Sequence, residues 1–255
     1  MASRNGLNPK IRGQKGIGFN RALPAPFGFG NGLYASSGKI SIPRLANGSF
    51  LQKAPFTIEF WTKSNVGASD GYYWLWLYIK RIATPAYEQT FSVNSGLGLF
   101  TTDNTYRGGN NVIFNGTPQH CVWSVEEDGQ CYTYFDGIFR ANMPGQTTPY
   151  YPDSFYLNMT NNVQAFDEFR YYSKALRRDQ IEKNYNAGIG NNPCETENLK
   201  VWLKFERFEN LDFSQEQDGS DIRLGIRDLS NQNNHGQPLD LDTNPLSPSY
   251  CLKPF

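Results

Sequence analysis

Acidic side chains are the residues of this sequence with the clearest capacity for chemistry. Retaining hydrolysis of a glycosidic bond needs two carboxyl groups about 5 Å apart. Glu59 has no second acid on its predicted strand, and Glu126-Glu127 fall in a predicted hairpin turn. Asp167 and Glu168 are adjacent in a predicted strand, where successive side chains point to opposite faces. The sequence therefore predicts no carboxylate pair for glycoside hydrolysis.

Histidine-based catalysis is not indicated either. A nucleophilic triad needs a Ser or Cys beside a His that an acid orients. His120 lies in a predicted strand, where a hydrogen bond within the core accounts for it, and His235 lies in a polar turn. We therefore expect a protein that is not an enzyme, with no catalytic residues.

The four cysteines have no metal-ligand spacing. Cys121 and Cys131 flank a predicted hairpin whose two-residue turn is at 128–129. In that register Cys131 pairs with Glu126 and lies too far from Cys121 for a disulfide. We expect reduced, buried thiols, consistent with folding in a cytoplasm.

The elements that position these side chains are clearest at 166–188. The first part of this segment alternates as a strand. Successive side chains are therefore predicted to divide between two faces, with Asp167, Phe169 and Tyr171 on one and Glu168, Arg170 and Tyr172 on the other.

A short helix is predicted to follow that strand. Ser173 is placed to cap the next turn. Leu176, Ile181 and Tyr185 fall on one helical face, which gives the helix an apolar side. Gly188 is predicted to end it in the left-handed conformation.

Composition supports an all-β chain of substantial size. The 255 residues include 15% aromatic and only 19% charged side chains, with 24 Gly and 15 Pro spread between short alternating runs. That pattern is typical of a sandwich or barrel.

No apolar window of about 18 residues is present, so we expect no membrane span. The first ten residues lack the apolar stretch of a secretory signal. We expect either that such a signal was removed before this numbering or that the protein leaves the cell by another route.

The strand and helix at 166–188 resemble the closing segment of laminin G-like domains in the concanavalin A-like superfamily. Further segments at 29–43, 56–63 (Phe-Thr-Ile-Glu-Phe-Trp-Thr-Lys) and 117–139 resemble other motifs of that family. The resemblance covers about 30–188. It implies an all-β, concanavalin A-like jelly-roll sandwich of two antiparallel sheets, with one short helix near 173–187.

The same resemblance implies a metal site. Many relatives hold a structural calcium with the Asp of the closing strand and carbonyls near the start of the domain. Asp167 matches that Asp, and the Asn31-Gly32 turn could supply carbonyls. Asn31 stands where an Asp is usual, which lowers the charge of the site. The alternative is that Asp167 hydrogen-bonds a turn without metal.

The domain organisation has one unusual feature. We expect a basic N-terminal arm at 1–28, a laminin G-like jelly roll at 29–190 and a C-terminal extension at 191–255. Within the extension, 199–206 and 227–236 resemble a motif found at the start of such domains. The strand at 199–206 is therefore predicted to complete the same sandwich in permuted order. Docking onto a neighbouring copy is the alternative.

The charge distribution indicates contacts with protein. Residues 1–58 contain eight Lys or Arg and no acid, whereas 191–255 contain eleven acids and six bases. Gly and Pro interrupt the basic residues, which does not favour binding to nucleic acid.

We expect a non-catalytic virion structural or assembly protein, such as a phage head decoration, fibre or tail component. It would be made in the host cytoplasm and contact other virion proteins or its own copies.

A carbohydrate-binding module at the cell surface or outside the cell is the alternative. Flat aromatic rings stack against sugar faces. The candidates for such a surface are Trp74, Trp76, Tyr106, Tyr150 and Tyr151. The same surface could also give a virion protein weak binding to host-surface glycan. A glycoside hydrolase is the third function considered, and the missing carboxylate pair argues against it.

Overall fold

The structure is a computed structural model of the 255-residue chain. The residues it describes are 28–35, 38–42, 54–64, 75–80, 89–93, 96–100, 106–111, 116–143, 154–159, 164–214, 222–247 and 250–255. The strands within 75–111 and at 154–159 are described by their backbone. The predicted arm at 1–28 lies outside the described residues except for its last position.

The strands follow in the order β1 (Asn31–Ala35), β2 (Lys39–Ile42), β3 (Phe56–Ser64), β4 (Leu75–Lys80), β5 (Gln89–Val93), β6 (Gly96–Phe100), β7 (Tyr106–Asn111), β8 (Gln119–Val125), β9 (Cys131–Phe135), β10 (Ile138–Met143), β11 (Ser154–Met159) and β12 (Gln164–Tyr172). The helix α1 (Arg178–Tyr185) comes next. The chain then forms β13 (Leu199–Leu203), β14 (Glu209–Asp212), β15 (Ile222–Gly225), β16 (Gln237–Leu239) and β17 (Leu252–Pro254).

Two antiparallel sheets face each other across one core. Sheet A has the order β10-β9-β8-β3-β12-β1-β17, with β13 also paired to β12, and sheet B has the order β16-β2-β11-β4-β5-β6-β7. Ile40 and Ile42 of sheet B share a hydrophobic cluster with Phe60, Trp123 and Phe166 of sheet A. The predicted all-β jelly-roll sandwich is therefore confirmed.

Strand β3 alternates between two buried faces of sheet A. Phe56, Ile58 and Phe60 are buried in the core, as their spacing predicts. The intervening Glu59 lies on the opposite face of sheet A and is also fully buried. A sheet face that carries a buried carboxylate must provide partners for it, since an unpaired buried charge is costly.

Strands β1 and β13 divide one edge of β12 between them. Leu33 of β1 pairs with Phe166, and Leu203 of β13 pairs with Phe169. Both strands are antiparallel to β12, so they run in the same direction, with the end of β13 beside the start of β1. We call this meeting point the strand junction. The strand within 199–206 thus adds to the same sheet as β1, while the division of the chain at 28 and 190 stays a prediction.

A β-bulge in β12 lies at the strand junction. Asp167 pairs with Trp61 and Arg170 pairs with Glu59, so β12 advances by three residues over a span in which β3 advances by two. Glu168 takes a left-handed φ of 53°. The sequence predicts Asp167 and Phe169 on one face of β12, but only Phe169 faces the core. Asp167 instead interacts electrostatically with Glu168, so the predicted alternation is wrong at this point. The extra residue at the bulge is the physical reason.

The helix is shorter than predicted at both ends. It begins at Arg178 with Arg177 as N-cap, and Ser173 Oγ instead donates to the carbonyl of Asn198. Asn186, with φ 46°, ends it in a left-handed conformation, which asparagine tolerates, and Gly188, with φ 90°, is also left-handed as predicted. No helix among the described residues is long and apolar enough to cross a membrane.

The β8–β9 hairpin has a longer turn than predicted. Val125, not Glu126, pairs with Cys131. Gly129 has a φ of 85°, and its N–H bonds to the carbonyl of Glu126, which is typical of a three-residue turn with a left-handed glycine. The four cysteines are free thiols; Cys121, Cys131 and Cys251 are buried as predicted, whereas Cys194 is exposed.

The loop at 226–236 is closed by one carboxylate. Asp228 Oδ1 accepts the N–H groups of Trp202 (2.8 Å) and Ser230 (2.9 Å). Its Oδ2 accepts the N–H of Asn234 (3.0 Å) and the hydroxyl of Ser230. His235 Nδ1 in turn accepts the N–H of Asp228. The polar motif therefore holds this loop against β13.

Candidate functional site

A cluster of charged side chains is buried between sheet A and α1. Glu59 of β3, His120 of β8 and Arg170 of β12 are each 0% exposed. Arg170 donates from Nη1 to Glu59 Oε1 at 2.7 Å and from Nη2 to Glu168 Oε2 at 2.9 Å. We call these residues, with Asn184 of α1, the buried ion cluster. The guanidinium joins two carboxylates that the bulge brings to one face.

Glu59 is held ionised by its neighbours. Burial would raise the pKa of Glu59, but Arg170 beside it and the hydrogen bonds it accepts bring that pKa below its ordinary value. Asn184 Nδ2 donates to Glu59 Oε2 at 2.7 Å, and His120 Nε2 lies 3.3 Å from Oε1. His120 also stacks against Trp61 and Tyr185. Sequence reasoning took Glu59 as isolated because its partners are distant in the chain.

The buried ion cluster is unsuited to acid–base chemistry on a substrate. Glycoside hydrolysis needs one carboxyl to protonate a leaving group while the other acts beside it. Here a guanidinium separates Glu59 from Glu168 and keeps both as its counter-ions. Both carboxylates are also completely buried. The cluster therefore supports the position of α1 on sheet A.

The strand junction continues this cluster toward the surface. Glu168 accepts the indole N–H of Trp202 at 2.6 Å, and its Oε1 lies 3.1 Å from Lys204 Nζ. Glu206 accepts the backbone N–H of Asn31 at 3.1 Å on Oε2. The end of β13 and the start of β1 are thereby joined by charged and polar contacts.

Asp167 is the most perturbed carboxyl of the strand junction. It is 0% exposed; its Oδ1 accepts the N–H of Glu168 at 2.7 Å, and its Oδ2 has no hydrogen-bond partner. Burial, together with the charge of Glu168, raises the pKa of Asp167 to about 8. This environment therefore favours the protonated form of Asp167.

The predicted calcium ligands do come together at the strand junction, because β1 pairs with β12. Their oxygens are nevertheless poorly arranged for Ca²⁺, which takes six to eight. Asn31 directs its amide N–H to the carbonyl of Glu206, and Lys204 already places a positive charge beside Glu168. Among the described residues no group of three or more His, Cys, Asp or Glu is arranged to hold a metal. The residues as placed do not fit calcium, and the calcium prediction remains untested.

An open cavity of about 310 Å³ lies beside the strand junction. We call it the junction cavity. Three cationic side chains, two anionic ones and one apolar one line it: Lys204, Arg207, Arg227, Glu206, Glu209 and Leu229. Glu209 accepts Nε–H from Arg207 at 2.8 Å and from Arg227 at 2.9 Å. That shared carboxylate holds both guanidinium groups near each other at the cavity wall.

The predicted aromatic residues for sugar binding cannot be placed at this cavity. Trp74, Tyr150 and Tyr151 lie outside the described residues. Trp76 is in β4 and Tyr106 in β7, strands described by their backbone alone. The cavity residues were missed by sequence reasoning, although four of them are spaced closely within 204–209.

Comparison with known proteins places the chain by fold. No protein-family model and no curated protein matches it. Its structure is similar to that of a candidate carbohydrate binding protein from Bacteroides ovatus ATCC 8483, with a TM-score of 0.54 and 15% identity over 84% of this chain and 59% of that one. This likeness shows the fold alone, and the chain spans about three-fifths of that protein.

Weaker similarity is found with toxin domains. The botulinum neurotoxin serotype D binding domain gives a TM-score of 0.43 at 14% identity, over 62% of this chain and 42% of that one. The serotype D ligand binding domain in complex with N-acetylneuraminic acid gives 0.45 at 16% identity, over 61% and 42%. The chain spans less than half of these domains.

Proposed function

We propose that this chain is a non-catalytic, laminin G-like binding module that holds a carboxylated sugar in the junction cavity. The observation that supports this most is the pair of guanidinium groups that Glu209 brings together at the cavity wall. Arg207 and Arg227 each keep terminal N–H groups beyond those bonded to Glu209 within the described part of the chain. Carboxylates are the anions that such planar forks bind in bidentate fashion.

The remaining lining residues suit a sugar ring. Leu229 is 38% exposed and offers an apolar surface to a pyranose face. Glu206 offers a carboxylate, which accepts hydrogen bonds from hydroxyl groups. The volume is at the lower end of about 300–1,000 Å³ for small-molecule sites, so it suits one terminal sugar unit. The aromatic residues predicted from sequence would extend such a site only if they lie nearby.

Replacing Arg227 with alanine should weaken binding of a carboxylated glycan about 10- to 100-fold, since a hydrogen bond to a charged group contributes about 1.5–3 kcal/mol. A glycan array would identify the ligand, and titration calorimetry would compare wild type with the variant. Arg177→Ala is the matched control, because Arg177 is an exposed arginine on the N-terminal end of α1, paired with Asp179. Binding should also weaken with added salt.

Other outcomes would redirect this proposal. Equal binding by wild type and Arg227→Ala would exclude the junction cavity. Binding lost instead in Trp76→Ala would favour the aromatic surface predicted from sequence. Hydrolysis of a β-glucan panel would contradict the absence of catalysis.

Assembly of a virion is the second candidate, and exposed apolar side chains favour it. Ile138 and Phe139 begin β10, the terminal strand of sheet A, and are 55% and 44% exposed. The partner proposed is a second copy of the chain, because the basic 1–58 and acidic 191–255 segments are complementary in charge. A virion location, with other virion proteins as partners, is part of this candidate. An extracellular location belongs to the glycan-binding one.

Ile138→Asp should convert a self-associated chain to monomers in sedimentation experiments, since a buried unpaired charge opposes association. Glu127→Lys, in the exposed β8–β9 turn, is the control and should not change the mass. Mass spectrometry of purified particles would test the location. A wild-type chain that is monomeric at all concentrations and absent from particles would contradict assembly.

A further inference from the structure

We propose that the ammonium group of Lys204 is the resident cation of the strand junction. The native chain then needs no divalent metal at this point, and a chain without this lysine would bind one through the same carboxylates. The proposal does not rest on glycan binding.

Two carboxylates form ion pairs with Lys204, and a third carboxyl interacts with it electrostatically. Its Nζ lies 3.1 Å from Glu168 Oε1 and 3.9 Å from Glu206 Oε1. Asp167 also interacts electrostatically with both Lys204 and Glu206. These acids come from the bulge of β12 and from the turn after β13, so their proximity depends on the pairing of β13 with β12.

An unsatisfied oxygen provides independent evidence for a ligand-ready site. Asp167 is 0% exposed, yet its Oδ2 accepts no hydrogen bond. Buried polar atoms without a partner are uncommon and costly. An oxygen of this kind, beside two other acids, is the type of ligand that hard cations prefer.

Lys204 explains why the strand junction would need no divalent metal. A single positive charge at hydrogen-bonding distance from Glu168 repels a divalent ion approaching the same oxygens. The stem of Lys204 also fills part of the junction, because its side chain is only 20% exposed. Removing the ammonium leaves a net negative, partly enclosed group of oxygens that a cation can neutralise.

Terbium luminescence measures this directly, because Tb³⁺ occupies calcium-type oxygen sites and is sensitised by nearby indole. Trp202 Nε1 lies 2.6 Å from Glu168 Oε2, so its ring is close enough to report binding. We expect Lys204→Ala to show saturable sensitised emission with an apparent Kd at least about tenfold lower than wild type. Lys200→Ala, which removes another lysine from β13, is the control and should behave as wild type.

Two further variants identify the ligands. Asp167→Asn added to Lys204→Ala should abolish the gain, since it removes the unpaired carboxylate oxygen. Lys204→Met keeps the apolar stem and should gain binding as well. Equal terbium affinity in wild type and both Lys204 variants would overturn the proposal, as would a gain that survives Asp167→Asn.

A stability readout covers the case in which Lys204→Ala folds poorly. A ligand that binds only the folded state raises the melting temperature once its free concentration exceeds its Kd. We expect millimolar Ca²⁺ to restore the melting temperature of Lys204→Ala and to leave wild type unchanged. A calcium-dependent rise in wild type would show that the lysine does not replace the metal.

Discussion

Arg170→Met is expected to lower the free energy of unfolding by about 3–5 kcal/mol, because removing one partner of a buried ion pair leaves an uncompensated charge. Arg170 is the shared donor of Glu59 and Glu168, at 2.7 and 2.9 Å, and all three are fully buried. Methionine has a similar stem, so the change in packing is small compared with the loss of charge. Urea unfolding at pH 7 would measure the effect.

The control is Arg177→Met, an arginine whose ion pair with Asp179 is largely exposed. Exposed pairs contribute about 0–1 kcal/mol, so this variant should unfold close to wild type. The double variant Glu59→Gln with Arg170→Met should lose less than the sum of the single variants, since it removes a charge that would otherwise be unpaired. A loss below 1 kcal/mol for Arg170→Met would mean that the cluster does not hold α1 on sheet A.

Asp167→Asn is expected to stabilise the protein, and by more at pH 8 than at pH 5. The pKa of Asp167 is raised from 3.8 to about 8 by burial and by Glu168. Between those values the folded state keeps a proton that the unfolded state releases, so this group lowers stability by about 1.4 kcal/mol per pH unit. The stability associated with the protonated carboxyl is fully present below pH 3.8 and is lost as the pH rises through about 8. Asparagine has no such proton, so the variant should lack that slope.

The gain from Asp167→Asn at pH 8 should be on the order of several kcal/mol. The charged and titratable groups that face Asp167 stay in place: Glu168, Lys204, Glu206 and Tyr34. Unfolding in urea at pH 5 and pH 8, with a chelator present, gives the comparison. Asp179→Asn is the control, since Asp179 is exposed and its pKa is lowered, mainly by the hydrogen bond from Arg177. The same difference at both pH values would show that Asp167 is ionised in the folded state.

The fold was predictable because its signals are local. Alternation placed Phe56, Ile58 and Phe60 in the core, and periodicity placed a short helix after β12. The bulge could not be predicted, because Glu168 takes a left-handed conformation that glycine or asparagine usually occupies. One inserted residue then moved Asp167 to the face of Glu168.

The candidate site was hidden for a different reason. Asn31 and Glu206 are 175 positions apart in the chain and meet only because β1 and β13 lie end to end on β12. Arg227 reaches Glu209 from a loop beyond β15. Charge pattern marks such residues as polar, but only the strand order shows that they line one cavity.

A crystal structure of the chain with its best carboxylated array glycan tests the proposed function most directly. We expect the sugar carboxylate within hydrogen-bonding distance of Arg207 or Arg227, with the ring against Leu229. A sugar bound on sheet B around Trp76 and Tyr106, with the junction cavity free of ligand, would contradict the proposal.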